Sequence, residues 1–447
     1  MFYRTATRKL EQWRESPYRM PLIVRGARQV GKTTLINQFG KGFNNHLYIN
    51  LDDDSRAREV LEMDIDLESK VRTLFAILGK PQNAGDTLIF IDEIQNSPRT
   101  IGLMRYFYEQ LPSLHVVAAG SLLENLVDIN ISFPVGRVQY LAVRPCSFHE
   151  FVIATGNGKQ YDIMQEMPQL SRPFHDTMMT LFNQYVIVGG MPRAVQRYVE
   201  QHDVLAIKDV YSSLLTSYGD DVEKYVKHSK LKDVVRHILR YGWAMAAETI
   251  TLGNFAASHF SSREVREAFN LLAKAMLAEL VYPTTAATKP AIPELRRMPK
   301  LIWLDTGLVN YAAGIRQEVI TARDVLDVWR GRIAEHVVAQ ELLTLNDDVN
   351  ATRCYWMKGA GGGSAEVDFV YDSGASLIPI EVKAGHNSHL RSLHSYIDAS
   401  SSDIAIRVWS QPYQIDDLVT IQGRKQFRLV SIPFYMVGML PTILNKL

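Results

Sequence analysis

The residue pattern with the clearest chemistry is a phosphate-binding loop close to the start of the chain. Gly26 is followed, after four residues, by the triplet Gly31-Lys32-Thr33, which is the spacing of that loop. The glycines let successive backbone N–H groups point at phosphate oxygens, and the following helix adds the positive end of its dipole. Lys32 is suited to reach the outer phosphates, and the Thr33 hydroxyl is suited to ligate Mg²⁺. The predicted triphosphate-binding residues are Gly26, Ala27, Arg28, Gln29, Val30, Gly31, Lys32, Thr33 and Thr34.

Two acidic residues at the end of an apolar run form the second pattern. Residues 87–91 predict a buried parallel strand, and Asp92 and Glu93 follow at its carboxyl end, where a doubly wound sheet places its ligands. Asp92 is expected to hold the Mg²⁺ shell, directly or through water, and Glu93 is expected to polarise an attacking water. The alternative is that these acids simply end a strand at the surface, and the upstream loop disfavours it.

A third pattern lies near the C-terminus. Glu381 and Lys383 alternate with apolar residues, so they point to one face of a predicted strand, and Glu366 and Asp368 share a face of another. Charges on apolar strands are costly unless they are paired or bound to metal. We therefore expect Asp368, Glu381 and Lys383 to share one cleft, with Glu335 approaching from a helix. A structural ion-pair cluster is the alternative.

Composition excludes several classes of protein. The chain has 447 residues, 47% of them hydrophobic, and a formal net charge of +1, so no global field attracts nucleic acid or membrane. Its two cysteines, Cys146 and Cys354, exclude a disulfide framework and fit a reducing compartment. Residues 1–16 do not resemble a secretory signal, and the apolar run 429–444 is short for a membrane span and holds two prolines. We expect a cytoplasmic protein with no membrane partner, in which that run forms a core strand and a turn.

The elements around the N-terminal patterns predict a parallel α/β core. Apolar runs predict strands at 22–24, 46–51, 87–91 and 114–119. Amphipathic spacing predicts helices at 8–14, 67–78 and 101–111. The strand before the phosphate loop and the amphipathic stretch after it disfavour a chance glycine turn.

The middle of the chain predicts a winged helix. The predicted helices are 231–241, 252–259 and 262–280, and the predicted strands of the wing are 281–282 and 301–304. Three helices followed by a hairpin are typical of this nucleic-acid reader, although winged helices also dock proteins. Basic residues suited to groove contacts are Lys232, Arg236, Arg240, Arg263 and Arg266. An ordinary solvated helix face is the alternative, because Glu264 and Glu267 lie among them.

Further motifs are spread along nearly the whole chain. They are Pro21-Leu22, Arg25–Thr33, Ile91–Gln95, Ala119–Ser121, Gly136-Arg137, Pro145, Phe148, Glu150-Phe151, Gly189–Pro192, Pro299–Leu301, Leu304–Leu308 and Glu381–Lys383. Together they resemble a widespread prokaryotic group that joins an AAA-type ATPase to a C-terminal domain with a restriction-endonuclease-like part. The resemblance implies ATP and Mg²⁺ as cofactors and ATP hydrolysis by Lys32, Asp92 and Glu93.

The resemblance also implies roles for three residues outside the loop. Ser121 is where related ATPases sense the outer phosphate, and a helix N-cap is its alternative role. Arg137 is a candidate stabiliser of the transferring phosphate, which requires an oligomer if it serves a neighbouring subunit, or else it forms a structural ion pair. Arg193 occupies the position of a lid arginine, where the group often has an acid.

The C-terminal pattern resembles the site of restriction-endonuclease-like nucleases. There the carboxylates, here Glu335, Asp368 and Glu381, hold Mg²⁺, while Glu381 and Lys383 act in catalysis. We therefore predict an α/β protein that hydrolyses ATP, binds DNA and cleaves it with Mg²⁺, and that forms a homo-oligomer. One alternative is an ATP-controlled switch or scaffold, and another is a transcriptional regulator that uses only the winged helix. The expected domains are a P-loop ATPase core at 1–150, a helical lid at 151–218, a winged helix at 219–316 and a restriction-endonuclease-like α/β domain at 317–447.

Overall fold

Two β-sheets organise the chain in the computed structural model, which describes residues 3–81, 86–120, 136–226, 228–314, 331–359, 365–384 and 390–447. The strands of the first sheet are β1 (Leu22–Arg25), β2 (Asn45–Asn50), β3 (Thr87–Asp92), β4 (His115–Gly120) and β5 (Gln139–Ala142). They lie in the order β2-β3-β4-β1-β5, and each neighbouring pair is parallel. This sheet confirms the parallel α/β core that the apolar runs predict.

Helices cover both faces of the first sheet. They are α1 (Ala6–Glu15), α2 (Lys32–Gly40), α3 (Ser55–Glu62), α4 (Leu67–Ile77) and α5 (Pro98–Gln110). In β3, Leu88 and Phe90 belong to one apolar cluster, whereas Ile89 and Ile91 belong to another. Successive side chains of a strand point to opposite faces, so β3 is buried on both sides and its apolar run is continuous. Its carboxyl end is the one place where it carries acids.

Helices make up most of the region that follows β5. They are α6 (Phe148–Ala154), α7 (Gly158–Glu166), α8 (His175–Val188), α9 (Pro192–Gln201), α10 (Lys208–Tyr225) and α11 (Ser229–Tyr241). A capping box begins α6, because the Ser147 side chain accepts from the Glu150 N–H and Glu150 accepts from the Ser147 N–H. Pro192 occupies the first position of α9, where its missing N–H costs nothing.

The predicted helix at 252–259 is wrong. That segment contains only a 3₁₀ turn, Phe255–Ala257. Asn254, just before the turn, and Ala256, within it, have left-handed φ angles of 54° and 48°. Left-handed residues cannot continue a right-handed helix. The next helix, α12 (Ser262–Lys274), also ends earlier than predicted, because Met276 is left-handed and β6 (Ala278–Thr284) begins two residues later. The helix pattern expected of a winged helix is therefore incomplete.

The second sheet joins the middle of the chain to its C-terminal part. Besides β6 its strands are β7 (Lys300–Trp303), β8 (Cys354–Met357), β9 (Glu366–Asp372), β10 (Leu377–Lys383), β11 (Ile404–Trp409), β12 (Gln414–Val419) and β13 (Gln426–Pro433). Their order is β12-β13-β11-β10-β9-β8-β6-β7. One half of β6 pairs with β7 as the predicted hairpin, and its other half pairs in parallel with β8. The sheet therefore crosses the boundary predicted at residues 316 and 317.

Four further α-helices follow β7 in the described part of the chain. They are α13 (Thr306–Ala312), α14 (Arg332–Thr344), α15 (Arg391–Ala399) and α16 (Leu440–Leu444). Two of them, α14 and α15, pack against the second sheet. The apolar run at 429–444 forms most of β13, a 3₁₀ segment and the short helix α16, which confirms the expected core strand and turn. In the part of the chain that the structure describes, no helix combines the length and the apolar character needed to cross a membrane.

Candidate functional site

The phosphate loop connects β1 to α2 and depends on two glycines. Gly31 caps α2 with a left-handed φ of 92°, a conformation that side chains other than glycine's adopt only with strain. A Cβ atom on Gly26 would lie 2.3 Å from the Val143 carbonyl oxygen, so only glycine fits there. The loop backbone therefore lies close to Val143, the residue that directly follows the edge strand β5.

Lys32 is folded back onto its own loop. Its Nζ donates hydrogen bonds of 2.9 Å to the carbonyl oxygens of Gly26 and Ala27, and its side chain is buried. Burial lowers the pKa of Lys32 to about 8, although the carboxylates of Glu93 and Asp92 oppose this shift. A phosphate anion beside Nζ would favour the charged ammonium in the same way as these carboxylates.

The two predicted Mg²⁺ ligands of the ATPase core are in direct contact. Thr33 Oγ1 donates a hydrogen bond of 2.6 Å to Asp92 Oδ2, which joins α2 to the end of β3. Burial raises the pKa of Asp92, and the Thr33 hydrogen bond partly offsets that rise. A hydroxyl and a carboxylate oxygen are the ligand types that Mg²⁺ prefers, so this pair fits the ion.

Glu93 follows Asp92 in a strained backbone position. Its φ is 53°, which is rare outside glycine and turns the chain sharply at the end of β3. Its backbone N–H donates to Asp92 Oδ1 at 3.0 Å, and Gln95 Nε2 donates to its carboxylate. Strain of this kind is retained where the surrounding structure fixes it, and it often accompanies a functional site.

A cavity of about 600 Å³ lies over the phosphate loop. Its lining residues are Arg4, Arg28, Gln29, Gly31, Lys32, Thr33, Thr34, Leu35, Gln38, Glu93, Pro192, Arg193 and Gln196. Glu93 and Arg193, the latter from the first turn of α9, therefore line the same cavity as the loop residues. Arg4, Arg28 and Arg193 add positive charge to this lining, which suits a polyphosphate.

Arg4 is a site residue that the sequence pattern does not reveal. Its Nη1 donates to the Val30 carbonyl oxygen at 2.9 Å, and its Nε donates to Glu150 Oε2 at 3.1 Å. The third contact is from Nη2 to the Arg144 carbonyl oxygen at 2.6 Å. Arg4 therefore ties the phosphate loop to α6, and only the tertiary fold brings these partners together.

The other two predicted catalytic residues of the core are Ser121 and Arg137. Ser121 lies outside the described residues. The Arg137 side chain is 40% exposed, and its Nε contacts Glu109 Oε1 at 2.6 Å. Arg137 does not line the cavity over its own loop, as far as that lining is described. Both interpretations of Arg137, as a structural ion pair and as a residue that serves a neighbouring subunit, stay open.

The C-terminal charged residues also converge, in a group that we call the acidic cleft. Its members are Lys300, Glu335, Glu366, Asp368, Glu381 and Lys383. Lys383 Nζ contacts Glu381 Oε1 at 2.6 Å, and the Val382 N–H donates to Asp368 Oδ2 at 2.8 Å. Glu335 approaches from α14 and contacts Lys300 at 3.1 Å. The predicted set of Glu335, Asp368, Glu381 and Lys383 therefore shares one cleft.

The electrostatics of the acidic cleft reflect burial and crowding of like charges. Burial, followed by the charge of Asp368, raises the pKa of Glu335 and that of Glu381 to about 7 each. Burial also raises the pKa of Asp368. For Lys300, burial lowers the pKa, but the carboxylates of Glu335, Asp368 and Glu366 outweigh it and the net shift is upward. The cleft holds more negative charge than its two ammonium groups neutralise.

The acidic cleft has donors for a cation but is not arranged around one. Glu381 Oε2 is buried and has no hydrogen-bond partner among the described residues. Nevertheless, no group of three or more His, Cys, Asp or Glu side chains within the described ranges is placed to hold a metal ion. Instead, the Lys300 ammonium contacts three of the carboxylates. The sequence analysis included Lys300 in a motif and placed Glu366 on the same strand face as Asp368. It assigned neither Lys300 nor Glu366 to the metal site.

The basic residues of the middle region lie on helix surfaces. Arg236 and Arg240 are exposed on α11, and Arg263 and Arg266 are exposed at the start of α12. Arg236 pairs with Asp233 at 3.1 Å, and Arg266 donates to the Tyr282 hydroxyl at 3.2 Å. These four arginines therefore lie on the solvent-exposed surfaces of α11 and α12.

Three family models match successive parts of the chain. Residues 18–152 match the model of an AAA domain, residues 179–319 match a domain of unknown function (DUF8612), and residues 330–435 match a domain of unknown function (DUF4143). The first match confirms the expected AAA-type P-loop ATPase domain, a class that binds and hydrolyses ATP. The winged-helix and restriction-endonuclease-like parts stay predictions. No significantly similar sequence was found among curated proteins.

The chain is also similar to solved structures, three of which have TM-scores below 0.5. The Walker-type ATPase PABY2304 of Pyrococcus abyssi is 16% identical with a TM-score of 0.42, over 70% of this chain and 96% of that chain. The Aeropyrum pernix ORC1 protein in complex with DNA is 12% identical with a TM-score of 0.28, over 72% and 94%. The S. cerevisiae Hsp104-ADP complex is 14% identical with a TM-score of 0.27, over 60% and 37%.

Proposed function

We propose that the protein is an ATPase that binds ATP at residues 26–34. The observation that carries this proposal is the 2.6 Å contact between Thr33 and Asp92 beside a cavity that also holds Lys32 and Glu93. A strand-end acid touching the loop hydroxyl is the arrangement that P-loop enzymes use to hold Mg²⁺. The match of residues 18–152 to an AAA domain supports it independently.

Each residue has a distinct part in the proposed reaction. Backbone N–H groups of the loop and the start of α2 bind the phosphates, and Lys32 Nζ exchanges its carbonyl partners for phosphate oxygens. Thr33 and Asp92 would hold Mg²⁺, which neutralises charge on the phosphates when bound. Glu93 orients a water and accepts its proton as the water attacks the outer phosphate. Arg193 lies in the cavity wall and adds a positive charge there.

ATP turnover in matched lysine variants tests this proposal. Lys32→Ala removes the ammonium from the cavity, whereas Lys41→Ala removes an exposed ammonium just beyond the end of α2. We expect phosphate release by the wild type and by Lys41→Ala, and a loss of roughly a hundredfold or more in Lys32→Ala. Equal turnover in all three proteins would exclude this site as the source of activity.

We further propose that the acidic cleft acts on DNA with Mg²⁺, coupled to the ATPase core. The convergence of Glu335, Asp368, Glu381 and Lys383 favours this second activity. When bound, Mg²⁺ would polarise a phosphate and activate water, and Lys383 would stabilise the attacking hydroxide or the phosphate charge. Exposed arginines on α11 and α12 are the proposed DNA contacts, within the predicted winged helix.

Incubation with plasmid DNA and Mg²⁺ separates this activity from its alternatives. We expect cleavage by the wild type and by Asp372→Asn, an exposed acid on β9 that pairs with Lys289 outside the cleft. Cleavage is lost in Glu381→Ala and retained in Lys32→Ala. DNA binding without cleavage by any variant would instead favour an ATP-controlled switch or scaffold. Tight sequence-specific binding that survives removal of residues 317–447 would favour a transcriptional regulator.

We also propose that the protein acts as a homo-oligomer in the cytoplasm. The Arg137 side chain is 40% exposed and lies outside the described lining of its own nucleotide cavity, so a phosphate that it stabilises belongs to another copy of the chain. Mixing Arg137→Ala subunits with Glu93→Gln subunits tests this, because each variant supplies the residue that the other lacks. Recovery of ATP turnover in the mixture supports the proposal, and activity no greater than the sum of the two variants contradicts it.

A further inference from the structure

Lys300 lies at the centre of the acidic cleft, although it comes from β7 and not from the C-terminal strands. Its Nζ is 2.8 Å from Glu366 Oε1, 3.1 Å from Glu335 Oε2 and 3.6 Å from Asp368 Oδ1. The Lys300 side chain is 5% exposed. A buried ammonium held by three carboxylates is a fixed part of the cleft and not a passing surface contact.

The charges of the cleft do not balance. Four carboxylates, from Glu335, Glu366, Asp368 and Glu381, face two ammonium groups, from Lys300 and Lys383. When all are ionised, the excess is two negative charges, which one divalent cation would neutralise. Glu381 is 7% exposed, and its Oε2 has no hydrogen-bond partner among the described residues. An unpartnered buried carboxylate oxygen is costly, so the cleft has both a charge and a donor available for a cation.

The same oxygens, however, are already engaged by Lys300. A divalent ion that bound Glu335 Oε2 or Asp368 Oδ1 directly would have to displace the ammonium, because two cations cannot contact the same oxygens without strong repulsion. We propose that Lys300 is a built-in competitor of divalent cations, so that the position of β7 sets the affinity of the acidic cleft for metal. This inference rests on the proposed metal site of the cleft.

The strand β7, which carries Lys300, pairs with segments from the middle of the chain. Lys300 pairs with Val281 of β6 and forms a bridge with Thr249, and both partners belong to the middle of the chain. The competing cation and the C-terminal carboxylates therefore belong to different segments of sequence. A displacement of β7 relative to β9 would withdraw the ammonium without altering any carboxylate.

Titration of Mn²⁺ into nucleotide-free protein, followed by the electron paramagnetic resonance of free Mn²⁺, tests the proposal. We expect Lys300→Met to bind Mn²⁺ roughly tenfold or more tightly than the wild type, because the competing charge is gone. Lys289→Met is the matched control, since Lys289 pairs with Asp372 at the exposed end of β9. It should bind as the wild type does. Lys300→Arg keeps a cation among the carboxylates and should also bind as weakly as the wild type.

Additional variants locate the bound ion, and further measurements test whether Lys300→Met is folded. In the Lys300→Met background, Glu381→Gln should remove the gained affinity, whereas Asp372→Asn, at an exposed acid of β9 outside the cleft, should leave it unchanged. Mn²⁺ should also raise the thermal unfolding midpoint of Lys300→Met more than that of the wild type, as binding to the native state requires. If Lys300→Met does not fold, Lys300→Gln, which keeps a hydrogen-bond donor among the carboxylates, repeats the test.

The outcomes separate this inference from the function on which it rests. Equal and tight Mn²⁺ binding by the wild type and Lys300→Met overturns the competition and leaves the proposed metal site intact. Weaker binding by Lys300→Met overturns it as well, since Lys300 would then support the ion. No binding by either protein overturns both the competition and the metal site of the cleft. None of these three results bears on the proposed ATP hydrolysis, which is assayed separately.

Discussion

Asp305 Oδ2 accepts a hydrogen bond of 2.5 Å from the backbone N–H of Gly190. Asp305 comes just after β7, and Gly190 precedes Pro192 and Arg193, which line the nucleotide cavity. Asp305 is fully buried, and its other oxygen accepts from the Leu308 N–H at 2.8 Å. This contact connects the segment after the Lys300 strand to the wall of the proposed ATP site.

Replacing Asp305 with alanine should affect both stability and nucleotide binding. The substitution leaves the buried N–H groups of Gly190 and Leu308 without an acceptor, at a cost of about 1–3 kcal/mol each. We expect a lower free energy of unfolding in urea and a higher KM for ATP, because the turn that positions Arg193 is loosened. Unchanged values of both quantities would show that the contact does not support the cavity wall.

Glu93→Gln should separate ATP binding from ATP hydrolysis. The amide keeps the shape of the side chain and its contact with Gln95, but it cannot accept a proton from water. We expect kcat to fall by about 10²–10⁴-fold with little change in the affinity for ATP. Single-turnover measurements with radiolabelled ATP give both quantities. A variant that retains wild-type kcat would show that another group activates the water.

Arg4→Met should weaken ATP binding by releasing the phosphate loop. The change removes the donors to Val30 and Glu150 and leaves the Glu150 carboxylate buried beside an apolar side chain. Breaking a buried ion pair typically costs about 3–5 kcal/mol. We expect lower thermal stability and a raised KM for ATP, whereas Arg8→Met, on the exposed side of α1, should change neither. Equal effects of the two substitutions would contradict a specific role for Arg4.

Glu341→Gln should change how stability depends on pH. Burial raises the pKa of Glu341 from 4.5 to about 7, against the hydrogen bonds from Tyr185 and Phe148. Because the folded pKa lies above the unfolded one, the stabilising contribution is complete below pH 4.5 and is lost as the pH rises through about 7. Glutamine does not titrate, so this loss, on the order of 3 kcal/mol, should disappear from the variant.

Chemical denaturation at several pH values across that interval measures the effect. The unfolding free energy of the wild type should fall relative to that of Glu341→Gln as the pH rises. Glu62→Gln, on the exposed surface of α3, is the control and should follow the wild type. Parallel curves for the wild type and Glu341→Gln would mean that Glu341 is ionised at no cost in the folded protein.

Local sequence patterns predicted the ATPase core well, because its signals are short. The loop spacing around Lys32 and the apolar run ending in Asp92 each lie within a few residues, so strand, turn and helix can be read directly. The alternation around Glu381 likewise placed its side chain on the correct face of β10. These predictions need no knowledge of distant contacts.

Other features could not be predicted because they depend on distant parts of the chain or on unusual backbone. The partners of Arg4 and Lys300 are brought together only by the folded sheets, and no local pattern marks them. The helix predicted at 252–259 is wrong because Asn254 and Ala256 adopt left-handed backbone conformations. The strand β6 pairs with both β7 and β8, so one sheet spans two of the domains that the sequence predicted as separate.

The most direct test of the central claim is calorimetric titration of ATP with Mg²⁺ into the wild type and Lys32→Ala. The Lys32 ammonium and the Thr33–Asp92 pair form one site, so the wild type should bind ATP at a single site. Binding by Lys32→Ala should be weaker by roughly a hundredfold or more, with an unchanged fold by circular dichroism. No heat of binding from the wild type, or equal affinity in the two proteins, would contradict the account.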